Sequence, residues 1–502
     1  MIQCDVLLEP AFTIAPVPHR LFGSFVEHMG RCVYGGVFDP GHPAADEHGL
    51  RRDVVELTRE LGVSLVRYPG GNFVSGYDWR DGVGPVADRP SRLDLAWRSI
   101  ERNTFGLDEF MTWVGEVRCE PMMAVNLGTS GIAEARDLLE YANHPEGTAL
   151  SDLRRKHGAA DPYGIKLWCL GNEMDGPWQT GHKSADDYGK LAAETAKAMK
   201  QVDPSIELVV CGSSNDKMPT FGAWEATVLD HTFEHVDYLS LHAYFEQVDD
   251  DQPGFLASAV AMDQFIDGIV ATCDHVAAKK RSRRKLKLSF DEWNIWYESR
   301  FVGHTNLDWA IAPRLIEDTY TAIDAVVVGN LLMSLLRHSD RIDIACQAQL
   351  VNVIAPIRTE PDGTAWRQTI FHPFALTARY ARGDVLRVEP RTTIVDGGTR
   401  GDVDAVDVVA TYDPESGAIA VFAVNRDPTE NARVEVRMPS LPGYQVTEHV
   451  VMGGPDLLNS NSCADPDRVQ PVVVSDRVSI DGTTATAALA PTSWNLIRLN
   501  PA

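Results

Sequence analysis

The sequence predicts an α/β protein in which a (β/α)8 TIM barrel carries a C-terminal β-sandwich of jelly-roll type. Three observations predict it. Eight short, β-rich apolar runs alternate with longer segments of helical period as far as residue 375. Beyond about residue 374 the pattern changes to period-2 segments separated by turn residues. Two of the apolar runs are closed by a glutamate, which is where a parallel barrel presents its chemistry.

In order, the runs are 21–27, 64–70, 121–127, 165–170, 207–211, 236–241, 286–290 and 344–350. Each is short enough for a strand and apolar enough to be buried. On pattern alone an open doubly wound sheet remains the alternative. Among the intervening segments, 184–201 opens with a Ser184-x-x-Asp187 capping box and repeats apolar or small residues at Tyr188, Leu191, Thr195, Ala198 and Met199, which predicts an amphipathic helix. The longest apolar stretch, 325–336, is interrupted by Gly329 and Asn330 and falls well short of the roughly 20 residues of a membrane span, so it reads as a buried helix.

Segments 405–412, 418–425, 432–438 and 484–489 supply the sandwich strands, and 4–8 would add one more, bringing the two termini together. The expected division is a catalytic barrel over 16–375 and a sandwich over 376–502, with 1–15 joining the latter. Only the loop near 459–467 reads as loosely structured.

Composition narrows the function. With 71 Asp and Glu against 46 Lys and Arg, the net charge of −25 opposes a polyanionic partner, so nucleic acid is not expected and a neutral substrate is. The first ten residues carry neither a basic n-region nor an apolar h-region, so no secretory signal is expected, and the composition reads as that of an intracellular chain with no membrane partner. The eight cysteines are scattered without a CxxC pair and read as reduced, mostly core thiols.

Glu173 ends Ile165-Lys-Leu-Trp-Cys-Leu-Gly-Asn-Glu, after strand four, and Glu292 ends Leu286-Lys-Leu-Ser-Phe-Asp-Glu, after strand seven. Across a barrel mouth these would face each other, as glycoside hydrolysis by a pair of carboxyl groups requires. Asn172 would hydrogen-bond the sugar hydroxyl beside the reacting carbon. In Arg67-Tyr-Pro-Gly-Gly-Asn, Gly70 and Gly71 permit a tight turn, Asn72 would present its amide to the cleft, and Arg67 would orient Glu292 and keep it ionised.

Glu27 and Gln349 would meet sugar hydroxyls, and Tyr244 would hydrogen-bond the nucleophile. Of the aromatics near strand ends, which include Trp97, Trp293 and Trp296, Trp178 is the best candidate for a subsite wall. His242 reads as a structural hydrogen-bonder. No HxH or HExxH pattern is present, so neither metal nor cofactor is expected.

Five segments together resemble glycoside hydrolase family 51, the α-L-arabinofuranosidases: Phe22-Gly-Ser-Phe-Val-Glu-His, Arg67-Tyr-Pro-Gly-Gly-Asn-Phe, Trp168-Cys-Leu-Gly-Asn-Glu-Met-Asp-Gly-Pro-Trp-Gln, Ser289-Phe-Asp-Glu-Trp-Asn and Ala345-Cys-Gln-Ala-Gln-Leu-Val-Asn. The resemblance implies a retaining, exo-acting α-L-arabinofuranosidase, with Glu173 as general acid/base and Glu292 as nucleophile. It places Glu27, Arg67, Asn72, Asn172, Tyr244 and Gln349 around the arabinose, with Trp97 and Trp178 as further aromatic contacts. It also implies cytoplasmic residence and a homo-oligomer, often a hexamer. Two readings stay open beside it: another glycosidase specificity on the same barrel, such as a xylosidase or endo-glucanase, and a non-catalytic carbohydrate-binding barrel. The preferred linkage is not legible in these residues.

Overall fold

Eight parallel strands close into a barrel in chain order: Gly23–Phe25, Leu65–Tyr68, Glu120–Val125, Leu167–Leu170, Glu207–Val210, Tyr238–Phe245, Lys287–Ile295 and Ile342–Gln347. The computed structural model describes residues 1–301, 303 and 306–502. Closure is made where Cys346 pairs with Gly23, which also pairs with Leu65 on its other side. A Cβ at position 23 would lie 2.6 Å from the Ala345 carbonyl, so the seam requires a glycine.

Every strand falls on one of the apolar runs, but four bounds differ in ways that matter. The first strand ends at Phe25, two residues before Glu27. The sixth and seventh run on to Phe245 and Ile295, so His242, Tyr244 and Glu292 lie within strands and not after them. These two strands pair from Tyr238 opposite Lys287 to Phe245 opposite Ile295, with a register shift between Ser240 and His242, and the ladder continues past the point where polar side chains begin. The eighth stops at Gln347, leaving Gln349 in the loop that follows.

Helices cover the outside of the barrel. Ala185–Val202 begins where the Ser184 side chain accepts the Asp187 N–H, and it buries Tyr188, Ala192, Thr195, Ala196 and Met199. Ala322–Arg337 is buried on all sides from Ala322 to Leu336, because one flank packs on the barrel and the other on the sandwich. Gly329 breaks its apolar run for a steric reason: a Cβ there would meet the Trp494 ring at 2.3 Å.

The sandwich has a five-stranded sheet, in which Ile2–Leu7 lies parallel to Ala432–Arg437, and a seven-stranded sheet built on Val406–Tyr412, Ile419–Asn425 and Ser493–Pro501. Val406–Tyr412 and Ile419–Asn425 are buried on both faces, unlike the alternating Ala432–Arg437, because their outer face rests on Ala322–Arg337. That contact carries a buried polar cluster. Asp407 accepts from Arg426 Nη2 at 2.9 Å and Asn330 Nδ2 at 2.8 Å and pairs with Arg337, which also reaches Asp263. Burial works against the Asp407 carboxylate, but the two guanidinium groups outweigh it and hold its pKa down to about 2.

Among the described residues no helix is long and apolar enough to cross a membrane. Cys463 is exposed and Cys119 half-buried, while the other six cysteines are buried free thiols.

Candidate active site

Glu292 points inward from the seventh strand and is held from three sides. Arg67 Nη1 donates to its Oε1 at 2.7 Å, the Tyr244 hydroxyl donates to Oε2 at 2.7 Å, and His242 Nδ1 lies 3.7 Å from Oε2. Burial disfavours the carboxylate, yet the charges of His242 and Arg67 and the Tyr244 hydrogen bond prevail and hold its pKa below the ordinary glutamate value. His242 is affected in the opposite sense: burial works against its protonation, and the charges of Glu292 and Glu173 overcome that and raise its pKa.

Glu173 lies three residues beyond the fourth strand, past Gly171 at φ +92°, and itself has φ +43°. A glutamate in the left-handed region is uncommon and costs about 1 kcal/mol or more, a strain typical of functional positions. His242 Nδ1 hydrogen-bonds Glu173 Oε1 at 2.9 Å, and Trp178 Nε1 donates to Oε2 at 2.6 Å. One oxygen of Glu173, Nδ1 of His242 and one oxygen of Glu292 all lie within 4.8 Å of one another.

Glu27 forms the opposite side of the cleft. Its Oε1 accepts from the Phe73 N–H at 3.0 Å and from Trp97 Nε1 at 2.8 Å, and its Oε2 accepts from Gln349 Nε2 at 2.9 Å. Burial, and then the charge of Glu292, push its pKa up to about 8 against these hydrogen bonds. The turn after the second strand is shaped by this side chain. A Cβ at Gly70 (φ +126°) would meet Glu27 Cγ at 2.4 Å, and one at Gly71 would lie 3.2 Å from Glu292 Oε1. The second glycine thus keeps the approach to Glu292 open.

A cavity of about 410 Å³ opens above these groups, lined by Glu27, Asn72, Trp97, Glu173, Trp178, Tyr244, Glu292 and Gln349 of the expected residues. Arg67 and Asn172 are not on its wall. They stand behind it, joined by Arg67 Nη2 donating to Asn172 Oδ1 at 2.5 Å, while Asn172 Nδ2 makes a long 3.4 Å contact to Asn72 Oδ1. Trp293 is wholly buried in the core, whereas Trp296 lines the cavity.

The sequence reading did not place His242 at the reacting centre. Its signal was present, since it shares a strand face with Tyr244 two residues on. Lys217, Phe301, Ile316 and Arg400 also line the cavity. They come from loops, and Arg400 from the sandwich, where no strand-end pattern points to them.

Glu173, His242 and Glu292 are also the one group among the described residues whose donor atoms cluster closely enough to hold a metal ion. His242 is already hydrogen-bonded to Glu173, Glu173 to Trp178 and Glu292 to Tyr244, and a guanidinium supplies positive charge 2.7 Å from Glu292.

The chain matches two family models, the α-L-arabinofuranosidase 1 domain over residues 57–253 and the α-L-arabinofuranosidase C-terminal domain over 291–493. An intracellular exo-α-(1→5)-L-arabinofuranosidase of Streptomyces lividans is 58% identical over 494 residues, covering 98% of this chain and 74% of the relative. The chain belongs to glycoside hydrolase family 51, the α-L-arabinofuranosidases. A second relative in the family, an exo-α-(1→6)-L-arabinofuranosidase of Bifidobacterium longum, is 50% identical over 99% of this chain and 97% of its own. The solved structure of a family 51 α-L-arabinofuranosidase from Bifidobacterium longum superposes with a TM-score of 0.95 at 43% identity, covering 99% of both chains.

Proposed function

We infer that the protein is a retaining, exo-acting α-L-arabinofuranosidase that removes terminal non-reducing arabinofuranosyl residues from arabino-oligosaccharides, arabinan or arabinoxylan. The observation that carries the mechanism is the approach of Glu173 and Glu292 to within 4.8 Å. Retaining displacement needs carboxyl groups about 5 Å apart, whereas inversion needs about 6.5–9.5 Å to seat a water between them.

Glu292, kept ionised by Arg67 and Tyr244, attacks the anomeric carbon while Glu173 protonates the departing oxygen. The covalent glycosyl-enzyme removes the negative charge of Glu292, and Glu173 then takes a proton from the incoming water, which attacks the same carbon and restores the original configuration. His242, hydrogen-bonded to Glu173 and close to Glu292, senses both carboxyl groups as charge passes between them. Glu27, Asn72 and Gln349 hold the ring hydroxyls, Trp97 and Trp178 form the aromatic walls, and Asn172, behind the wall, supports Asn72 and Arg67 in place of the direct sugar contact expected of it.

Among the relatives, those named exo-α-(1→5) and intracellular support (1→5)-linked arabino-oligosaccharides as the substrate, acted on inside the cell, while the (1→6) enzyme at 50% identity names the competing linkage. Neutral saccharide is the only partner proposed besides further copies of the chain. On the family resemblance these copies form a hexamer, which light scattering tests. We take 16–375 as the catalytic barrel and 376–502 with 1–15 as the sandwich, a division tested by limited proteolysis.

The functional test is release of p-nitrophenol from its α-L-arabinofuranoside, α-L-arabinopyranoside and β-D-xylopyranoside, with (1→5)- and (1→6)-linked arabinobioses alongside. Turnover confined to the furanosides supports the reading. Turnover of a pyranoside alone would reject it in favour of another specificity on the same barrel.

A further inference from the structure

One stretch of the cavity wall does not belong to the barrel. A hairpin of the C-terminal region, Ile394–Asp396 paired with Asp402–Asp404, reaches across to the loop after the sixth barrel strand, and its tip carries Arg400 to the cleft. The tip is fastened, because Asp251 Oδ2 accepts from the Thr399 N–H at 3.0 Å and from Thr399 Oγ1 at 2.6 Å. Asp251 Oδ1 accepts from the Gly254 N–H at 3.0 Å, which anchors Asp251 to its own helix.

The seat is shaped for close approach. A Cβ at Gly398 (φ +59°) would meet Asp251 Oδ1 at 1.9 Å, and a Cβ at Gly254 would lie 2.8 Å from Thr399 Oγ1. Glycine on both sides lets the hairpin settle against the barrel loop.

Arg400 is exposed, and among the described residues its guanidinium has no hydrogen bond or ion pair, unlike the buried Arg67. Lys217, Asp216 and Glu298 line the same cavity. Asp251, whose carboxylate feels the charge of Arg400, and the cavity carboxylates Asp216 and Glu298 weaken any preference for a uronate. What remains is a planar fork of N–H donors, suited to adjacent hydroxyl groups. The same cavity of about 410 Å³ is lined both by Glu173, the acid for the departing oxygen, and by Arg400.

We propose that Arg400, delivered by the hairpin pinned on Asp251, forms a leaving-group subsite that binds the hydroxyls of the neutral sugar next to the arabinofuranosyl unit. This rests on the arabinofuranosidase reading and deepens it: the sandwich takes part in choosing the substrate. An arabinofuranoside with an aryl leaving group offers no such hydroxyls, so the two substrate types separate the two claims.

The experiment compares kcat/KM for p-nitrophenyl α-L-arabinofuranoside and for α-(1→5)-arabinotriose in wild type, Arg400→Ala and Gly398→Ala. Arg400→Ala is expected to lose about tenfold more on the triose than on the aryl glycoside, the worth of one charge-assisted hydrogen bond, chiefly through KM. Gly398→Ala, which wedges the hairpin off Asp251 and leaves Arg400 intact, should shift the same ratio in the same direction. An equal change on both substrates, or none, in Arg400→Ala would overturn the proposal even while wild-type turnover of the aryl furanoside upholds the activity. A wild type inactive on both substrates would remove the activity and the proposal together.

Discussion

The buried guanidinium of Arg67 donates to the Glu292 carboxylate over 2.7 Å, from a position behind the cleft and off its wall. With the charge of His242 and the Tyr244 hydrogen bond, the pair explains how a carboxylate with almost no solvent contact stays ionised. Burial alone would favour its neutral form, and a neutral acid is a poor nucleophile. Arg67 also approaches Asp291 at 3.9 Å and holds Asn172, so one cation organises the base of the site.

The pH profile should follow from this. Because the folded pKa of Glu292 is depressed, its carboxylate persists below the ordinary 4.5, and kcat/KM should fall only as pH drops through that lowered value. Replacing Arg67 with Ala removes a favourable charge, so the acid limb should move to higher pH by about one unit or more. An acid limb that stays in place would separate Arg67 from the ionisation of Glu292.

Tyr244→Phe deletes the 2.7 Å hydrogen bond to Glu292 Oε2 and little else. A hydrogen bond to a charged group is worth about 1.5–3 kcal/mol, so kcat/KM should fall by about 10- to 100-fold with the melting temperature nearly unchanged. A large loss of stability with full activity would make the tyrosine structural.

The two glutamates should fail differently. Glu292→Ala should lose at least about 10⁴-fold on every substrate, as removal of a nucleophile does. Glu173→Ala should keep more activity on aryl glycosides, whose leaving group needs little protonation, and should regain rate when azide is added. Equal residual activity in the two variants, with no azide effect, would reject the assignment of roles.

Acid should loosen the contact between sandwich and barrel. Asp407 has a folded pKa of about 2 against an ordinary 3.8, so its contribution is present above the higher value and is lost as pH falls through the lower one. The shift corresponds to about 2 kcal/mol. Asp407→Asn should cost more, about 3–5 kcal/mol, because Arg337 and Arg426 lose their buried counter-charge, and it should flatten the stability profile between about pH 4 and pH 2. Urea unfolding across this range measures both effects.

The barrel was legible because parallel strands buried on both faces leave near-continuous apolar runs, and the two glutamates interrupt those runs visibly. The seventh strand was harder to end. Asp291, Glu292 and Asn294 read as a loop, yet pairing to the eighth strand continues to Trp293 and pairing to the sixth carries the strand to Ile295. His242 reads as structural because the face it shares with Tyr244 becomes visible only once the sixth strand is known to run to Phe245, and its importance arises from its distance to two glutamates remote in the chain. Arg400 lies beyond any local reading, since a period-2 hairpin says nothing about the barrel loop it will meet.

Trapping the glycosyl-enzyme tests the central claim most directly. Glu173→Ala, mixed with an aryl α-L-arabinofuranoside bearing a good leaving group and followed by intact-mass measurement and peptide mapping, should accumulate one arabinosyl unit on the peptide containing Glu292. An adduct on any other residue, or turnover without an adduct that yields the inverted anomer, would contradict the double displacement.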